Sequence, residues 1–202
     1  MNVDFFTSPF KHAVVTDDNV KEICRVLFKR CNYDTTPDIA QMIVNDQETH
    51  NGPVKGVSLE QNDYEYLEDL LEDIRIKYFK IDIPNGEWSF NVTESNMRNT
   101  APELFPHSDD PVELYSEGAK YPGFLKFLIY IANDDLHKDY KDYGTKLYTK
   151  ENDEFVLNKE IPFKNGNMFI FETGSYSFHG TDFCSGRKNR RFFICGEYFI
   201  NE

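Results

Sequence analysis

Cysteine is scarce in this chain and forms no pattern. The four present, Cys24, Cys31, Cys184 and Cys195, make no CxxC pair and no disulfide-dense framework, so their usage reads as reduced and cytosolic. Basic charge is also short: 22 Lys and Arg face 35 Asp and Glu, a net charge of −13. A nucleic-acid-binding surface needs a basic footprint, so nucleic acid is excluded as a partner. A cationic protein or a small neutral molecule suits the charge better. No apolar run approaches membrane length, and Met1-Asn2-Val3-Asp4 lacks a basic n-region, so neither a membrane span nor a secretory leader is expected. The expected location is cytoplasmic. Repeats, linkers and low-complexity stretches are absent too. The 202 residues therefore read as one domain with a sizeable core, and nothing fixes an oligomeric state.

The first part of the chain carries helical periodicity. Phe10 to Val15 reads as a short strand. Asp17 or Asp18 can then cap a helix over Asn19–Cys31, with Val20, Ile23, Cys24, Leu27 and Phe28 on one face. Asn32 to Val57 is polar, turn-rich and assigned to no element. Ser58-Leu59-Glu60-Gln61 fits a capping box. The helix behind it spaces Tyr64, Leu67, Leu70, Leu71, Ile74 and Tyr78 at about 3.6 residues.

After Pro84-Asn85-Gly86 the pattern changes to short strands. Trp88–Val92 alternates, Phe124–Ala132 is an apolar run, and Thr145–Tyr148, Phe155–Leu157, Met168–Phe171 and Arg191–Ile200 follow polar turns. The expected fold is mainly β (α+β), an antiparallel double sheet or jelly roll with the helices packed outside one sheet. Residues 1–86 would form a helical support and 87–202 the β core.

Four residues in the second half can carry chemistry. In a strand, positions i and i+2 share a side, so His107 and Asp109 can reach one point while Asp110 faces away. His179 follows the Met168–Phe171 strand and precedes Gly180. Two imidazoles and a carboxylate on one face of an ion, with the other positions open, is the ligand set of non-haem Fe(II) oxygenases. A solvated turn at Asp109-Asp110-Pro111 and a core histidine at 179 are the plain alternatives. Arg191 opens an apolar strand in which alternation places Arg191, Phe193 and Cys195 on one face and Arg190, Phe192 and Ile194 on the other. A buried guanidinium needs a partner, and Arg suits a carboxylate; otherwise Arg191 is an edge residue with its head in water. Arg187, Lys188 and Arg190 read as a solvated basic loop.

From Phe105 to the C-terminus the chain resembles the 2-oxoglutarate (2OG)/Fe(II)-dependent dioxygenases, most of all their prolyl-4-hydroxylase-like branch. The resemblance is carried by Pro106-His107-Ser108-Asp109, Leu125–Asn133, Gly144-Thr145-Lys146-Leu147, Gly166–Phe171, His179-Gly180 and Arg191–Phe199. It implies a double-stranded β-helix (jelly roll, cupin-like) binding Fe(II) through His107, Asp109 and His179. Arg191 would hold the distal carboxylate of 2OG. The implied reaction uses O2, releases succinate and CO2 and hydroxylates a C–H bond, with ascorbate as a possible reductant. The substrate would be a peptidyl residue, proline first, or a small molecule. Three places depart from the family pattern. The segment between His179 and Arg191 is longer, Met97 stands where a tyrosine often precedes the first ligand, and the central-strand tyrosine that binds cosubstrate aligns with Ile131. Tyr130, one position off, is the candidate cosubstrate contact. The loop from Asp110 to Tyr121 follows the ligands, with Tyr115 and Tyr121 as candidate substrate contacts. Two readings compete with this one: a cupin-like metal dioxygenase that uses no 2OG, and a non-catalytic β-sandwich module with structural histidines.

Overall fold

The computed structural model describes residues 1–31, 41–44, 47–54, 56–81, 86–97, 104–109, 125–133, 144–181 and 190–200. Strands β1 (Asn2–Phe6) and β2 (His12–Thr16) precede helix α1 (Asp18–Arg30). Strands β3 (Gln41–Val44) and β4 (Gln47–Pro53) lead to helix α2 (Gln61–Ile74). The rest is β: β5 (Gly86–Trp88), β6 (Asn91–Met97), β7 (Leu104–His107), β8 (Leu125–Ile131) and β9 (Thr145–Glu151). They are followed by β10 (Glu154–Ile161), β11 (Met168–Glu172), β12 (His179–Thr181) and β13 (Arg190–Ile200).

Among the described residues these strands form two antiparallel sheets. The larger runs β1-β2-β11-β8-β13-β6-β4-β3, with β5 also paired to β13; the smaller runs β10-β9-β12-β7. The first 86 residues are therefore more than a helical support, since β1 to β4 lie in the large sheet itself. Neither strand shows a period of two in the sequence: β3 is a short apolar run (Met42-Ile43-Val44) and β4 is polar throughout.

The central strands β2, β11, β8 and β13 of the large sheet are buried on both faces. Outward, Ala13, Val15, Ile129, Ile131, Ile170, Phe192 and Ile194 pack against the α1 residues Val20, Ile23, Cys24 and Leu27 and the α2 residues Leu67, Leu70, Leu71 and Ile74. Inward, Tyr130, Phe169 and Phe171 pack with Phe10, Leu147, Ile161 and Phe163 between the sheets. A strand covered on both faces reads as a continuous apolar run, as Leu125–Ala132 does apart from Lys126.

Helix α1 begins where expected. The Asp17 carboxylate accepts from the Asn19 and Val20 amides at 2.9 and 3.2 Å and from the Tyr66 hydroxyl of α2 at 2.8 Å. One carboxylate thus caps one helix and ties it to the other. Asp17→Ala is expected to cost about 1–2 kcal/mol of stability, with Asp17→Asn less damaging, measured by urea unfolding. Equal losses in both would mean that the cap contributes nothing beyond charge.

The start and end of α2 differ from the sequence reading. Its N-cap position is Glu60, without a side-chain cap, so Ser58 does not form a capping box. The chain is still extended at Glu60, whose carboxylate reaches Arg30 of α1 at 2.9 Å. At the other end the helix widens into a π turn over Arg75–Phe79. The extra residue in that turn brings Phe79 rather than Tyr78 into the core, where Phe79 is 4% exposed.

Candidate metal centre

His107 ends β7 and His179 begins β12, and the two are direct partners in the antiparallel ladder. Directly opposed residues place their side chains together, and the two rings lie 4.6 Å apart. Asp109, two residues beyond His107, joins them. Its Oδ1 lies 4.0 Å from His107 Nε2 and its Oδ2 3.6 Å from His179 Nε2. One ligand atom from each of the three lies within 4.8 Å of the others. The chain places the three candidate ligands at one point.

Each is presented in a form suited to a cation. His179 is buried, with Nδ1 3.0 Å from the Ser177 carbonyl. Nδ1–H donates there, which leaves Nε2 as the lone-pair nitrogen facing Asp109. Burial depresses the His179 pKa against the pull of Asp109, so the ring is neutral at pH 7. Burial opposes ionisation of Asp109, but the positive charge beside it, with the Lys126 ammonium 3.3 Å from Oδ2, outweighs burial and holds its carboxyl below the ordinary range. Phe171 packs on the His179 ring at 4.8 Å, while the His107 side chain is 47% exposed. The site therefore has a closed side and an open side.

It opens into a cavity of about 400 Å³ bordered by His107, Asp109, His179, Lys126, Thr145 and Arg191. The strand β13 alternates as expected. Arg191, Phe193 and Cys195 border this cavity, and Phe192 and Ile194 join the outer core. Arg191 is 8% exposed, its guanidinium carbon 5.6–6.0 Å from the ring centroids of Tyr130, Phe163 and Phe193. Guanidinium faces are well tolerated on aromatic walls.

Tyr130 and Ile131 face opposite sides of the large sheet. Ile131 belongs to the outer core. Tyr130 points inward, fully buried, with its hydroxyl 2.5 Å from Thr145 Oγ1. Burial raises the Tyr130 pKa against the opposing influence of Arg191, so the phenol stays protonated. Tyr130 thus stands on the inner face, beside Arg191. Tyr115 and Tyr121, with the loop that holds them, lie outside the described residues, as do Arg187, Lys188 and the side chains of Arg190 and Met97.

Two neighbours of the site were not singled out in the sequence. Thr145 opens β9 and bonds Tyr130. Lys126 contacts Asp109 Oδ2 at 3.3 Å, and its signal was its standing as the lone charge in an apolar run.

No family model matches the chain, and no curated protein matches it. Solved structures do match. A prolyl-4-hydroxylase from Pseudomonas putida aligns over 94% of this chain and 92% of its own, with a TM-score of 0.53 at 13% identity. The viral collagen prolyl hydroxylase of Paramecium bursaria Chlorella virus-1, solved in complex with 2OG, aligns over 95% and 96%, with a TM-score of 0.51 at 12% identity. The fold is prolyl-4-hydroxylase-like. At that identity the likeness is one of architecture, and it agrees with the jelly roll and outer helices expected from the strand pattern. Among the described residues no helix is long and apolar enough to cross a membrane.

Proposed function

We propose that this chain is a 2OG- and Fe(II)-dependent dioxygenase that hydroxylates a C–H bond, releasing succinate and CO2. The observation that carries the reading is the meeting of His107, Asp109 and His179 in one cavity with an inward Arg191. Two imidazoles and one carboxylate fit a divalent transition ion such as Fe(II), which when bound would supply the oxygen chemistry. The protein's part is placement. The Ser177 carbonyl fixes the ring of His179, and Phe171 and Leu128 help exclude water from the inner side.

Arg191, held among aromatic rings, would pair with the far carboxylate of 2OG. Tyr130, itself oriented by Thr145, stands next to that position. An arginine in this place favours the 2OG reading over a cupin-like dioxygenase that has no dicarboxylate to bind, and the converging ligands favour either over a purely structural role. The more exposed His107 marks the substrate side. Its occupant is proposed as a peptidyl residue, proline first, or a small molecule, with ascorbate as a possible reductant and the cytoplasm as the site of action.

The test is direct. Anaerobic addition of 2OG to the Fe(II)-loaded protein should produce the visible charge-transfer band of a chelated 2-keto acid. Admission of O2 with a screen of peptides and metabolites should then release succinate. No band and no succinate above a metal-free control would refute the reading.

A further inference from the structure

Lys126 has a place in the site that ligand identity alone does not explain. It lies on the inner face of β8 and borders the cavity. Its ammonium is 3.3 Å from Asp109 Oδ2 and 3.9 Å from Glu197 Oε2, with the side chain 24% exposed. Glu197 is its direct ladder partner on β13, so Lys126 is steadied from one side and meets Asp109 on the other. Among the described residues, Lys126 is the cation that engages one of the two oxygens of Asp109. One lies 4.0 Å from His107 Nε2 and the other 3.6 Å from His179 Nε2. An ion among these side chains could take either oxygen, or both.

We propose that Lys126 is a positioning residue that occupies Asp109 Oδ2, so that Asp109 gives the metal Oδ1 alone. The inference rests on the functional reading above. A charge-assisted hydrogen bond to an ammonium draws electron density from the oxygen it engages and fixes the carboxylate's orientation. The consequence concerns the number of open positions. A six-coordinate ion with three protein ligands keeps three positions, which the reaction needs for two oxygens of 2OG and one molecule of O2. A carboxylate gripping through both oxygens would remove one of them. Lys126 keeps that position open.

The full chain loaded with Mn(II) tests this without turnover. Water bound directly to the ion can be counted by EPR line broadening in ¹⁷O-enriched water. The wild type should hold three such waters, Lys126→Met two, and Lys126→Arg three again. Mn(II) affinity in Lys126→Met should be equal or tighter, since an ammonium that repels the dication is gone, while 2OG, deprived of one of its positions, should bind about 10-fold more weakly, the equivalent of one hydrogen bond. Three waters in both wild type and Lys126→Met, or unchanged 2OG affinity, would overturn the inference. Loss of Mn(II) affinity in Lys126→Met would also overturn it, since that marks a merely structural role. A wild-type protein that fails to bind Mn(II), or binds it but not 2OG, would instead fail the functional reading itself and take this inference with it.

Discussion

Asp109→Ala is expected to lose metal binding almost completely, by more than about 1,000-fold. The loss of a ligand is only part of the effect. With the carboxylate gone, an incoming dication would meet the two imidazoles and the Lys126 ammonium that in the wild type lies 3.3 Å from Asp109 Oδ2. Repulsion between a dication and an ammonium about 5 Å apart, at an effective dielectric near 20, is on the order of a few kcal/mol after allowance for partial exposure. The double variant Asp109→Ala/Lys126→Met should therefore recover at least about 10-fold of the affinity. Calorimetric titration with Mn(II) or Fe(II) under argon gives both numbers. Metal affinity within a few-fold of wild type in the single variant would remove Asp109 from the ligand set.

Arg191 carries the second large effect. Arg191→Lys keeps the charge and loses the planar fork, so 2OG affinity should fall roughly 10- to 100-fold, the value of a charge-assisted hydrogen bond or two. Arg191→Met should lose more than about 100-fold. Stability serves as the control. The position is walled by Tyr130, Phe163 and Phe193, and Arg191→Lys keeps a charge among them. Its melting temperature should stay close to that of the wild type while 2OG affinity falls, read by calorimetry and by 2OG titration. Unchanged 2OG affinity in both variants would leave the cosubstrate reading without its anchor.

Elements with strong periodicity were legible in the sequence. The α1 stripe, the run at Leu125–Ala132 and the alternation of Arg191–Cys195 each fix a face, and a face fixes a neighbour. The candidate metal site was legible as residue types, because His107 and Asp109 share a strand side and His179 sits beside a glycine. Its geometry was not, since a ladder pairing between residues so far apart in the chain is set by the sheet order. Elsewhere the local signals were too weak or were overridden. Of the strands within residues 41–53, β3 is too short and β4 too polar to show a period. Ser58 has cap chemistry, but the backbone remains extended past it. Tyr78 was placed by an ideal helix, and one π turn shifted the core position to Phe79. Tyr130 looked misaligned against a family pattern, yet burial on both sheet faces lets either of two adjacent apolar residues point inward. Lys126 was visible as an oddity, and only the fold gave it a partner.

Among the described residues β7 stands at the edge of the smaller sheet, with β12 as its one neighbour. That edge carries two of the three proposed ligands, His107 at its end and Asp109 just past it. An ion held by these and by His179 would act as a clasp, closing the edge onto the strand beside it through ligand bonds in addition to the ladder. Iron supply would then govern more than turnover. It would set how often this edge of the smaller sheet comes undone, so that a metal-starved molecule loosens first at the open side of the cavity.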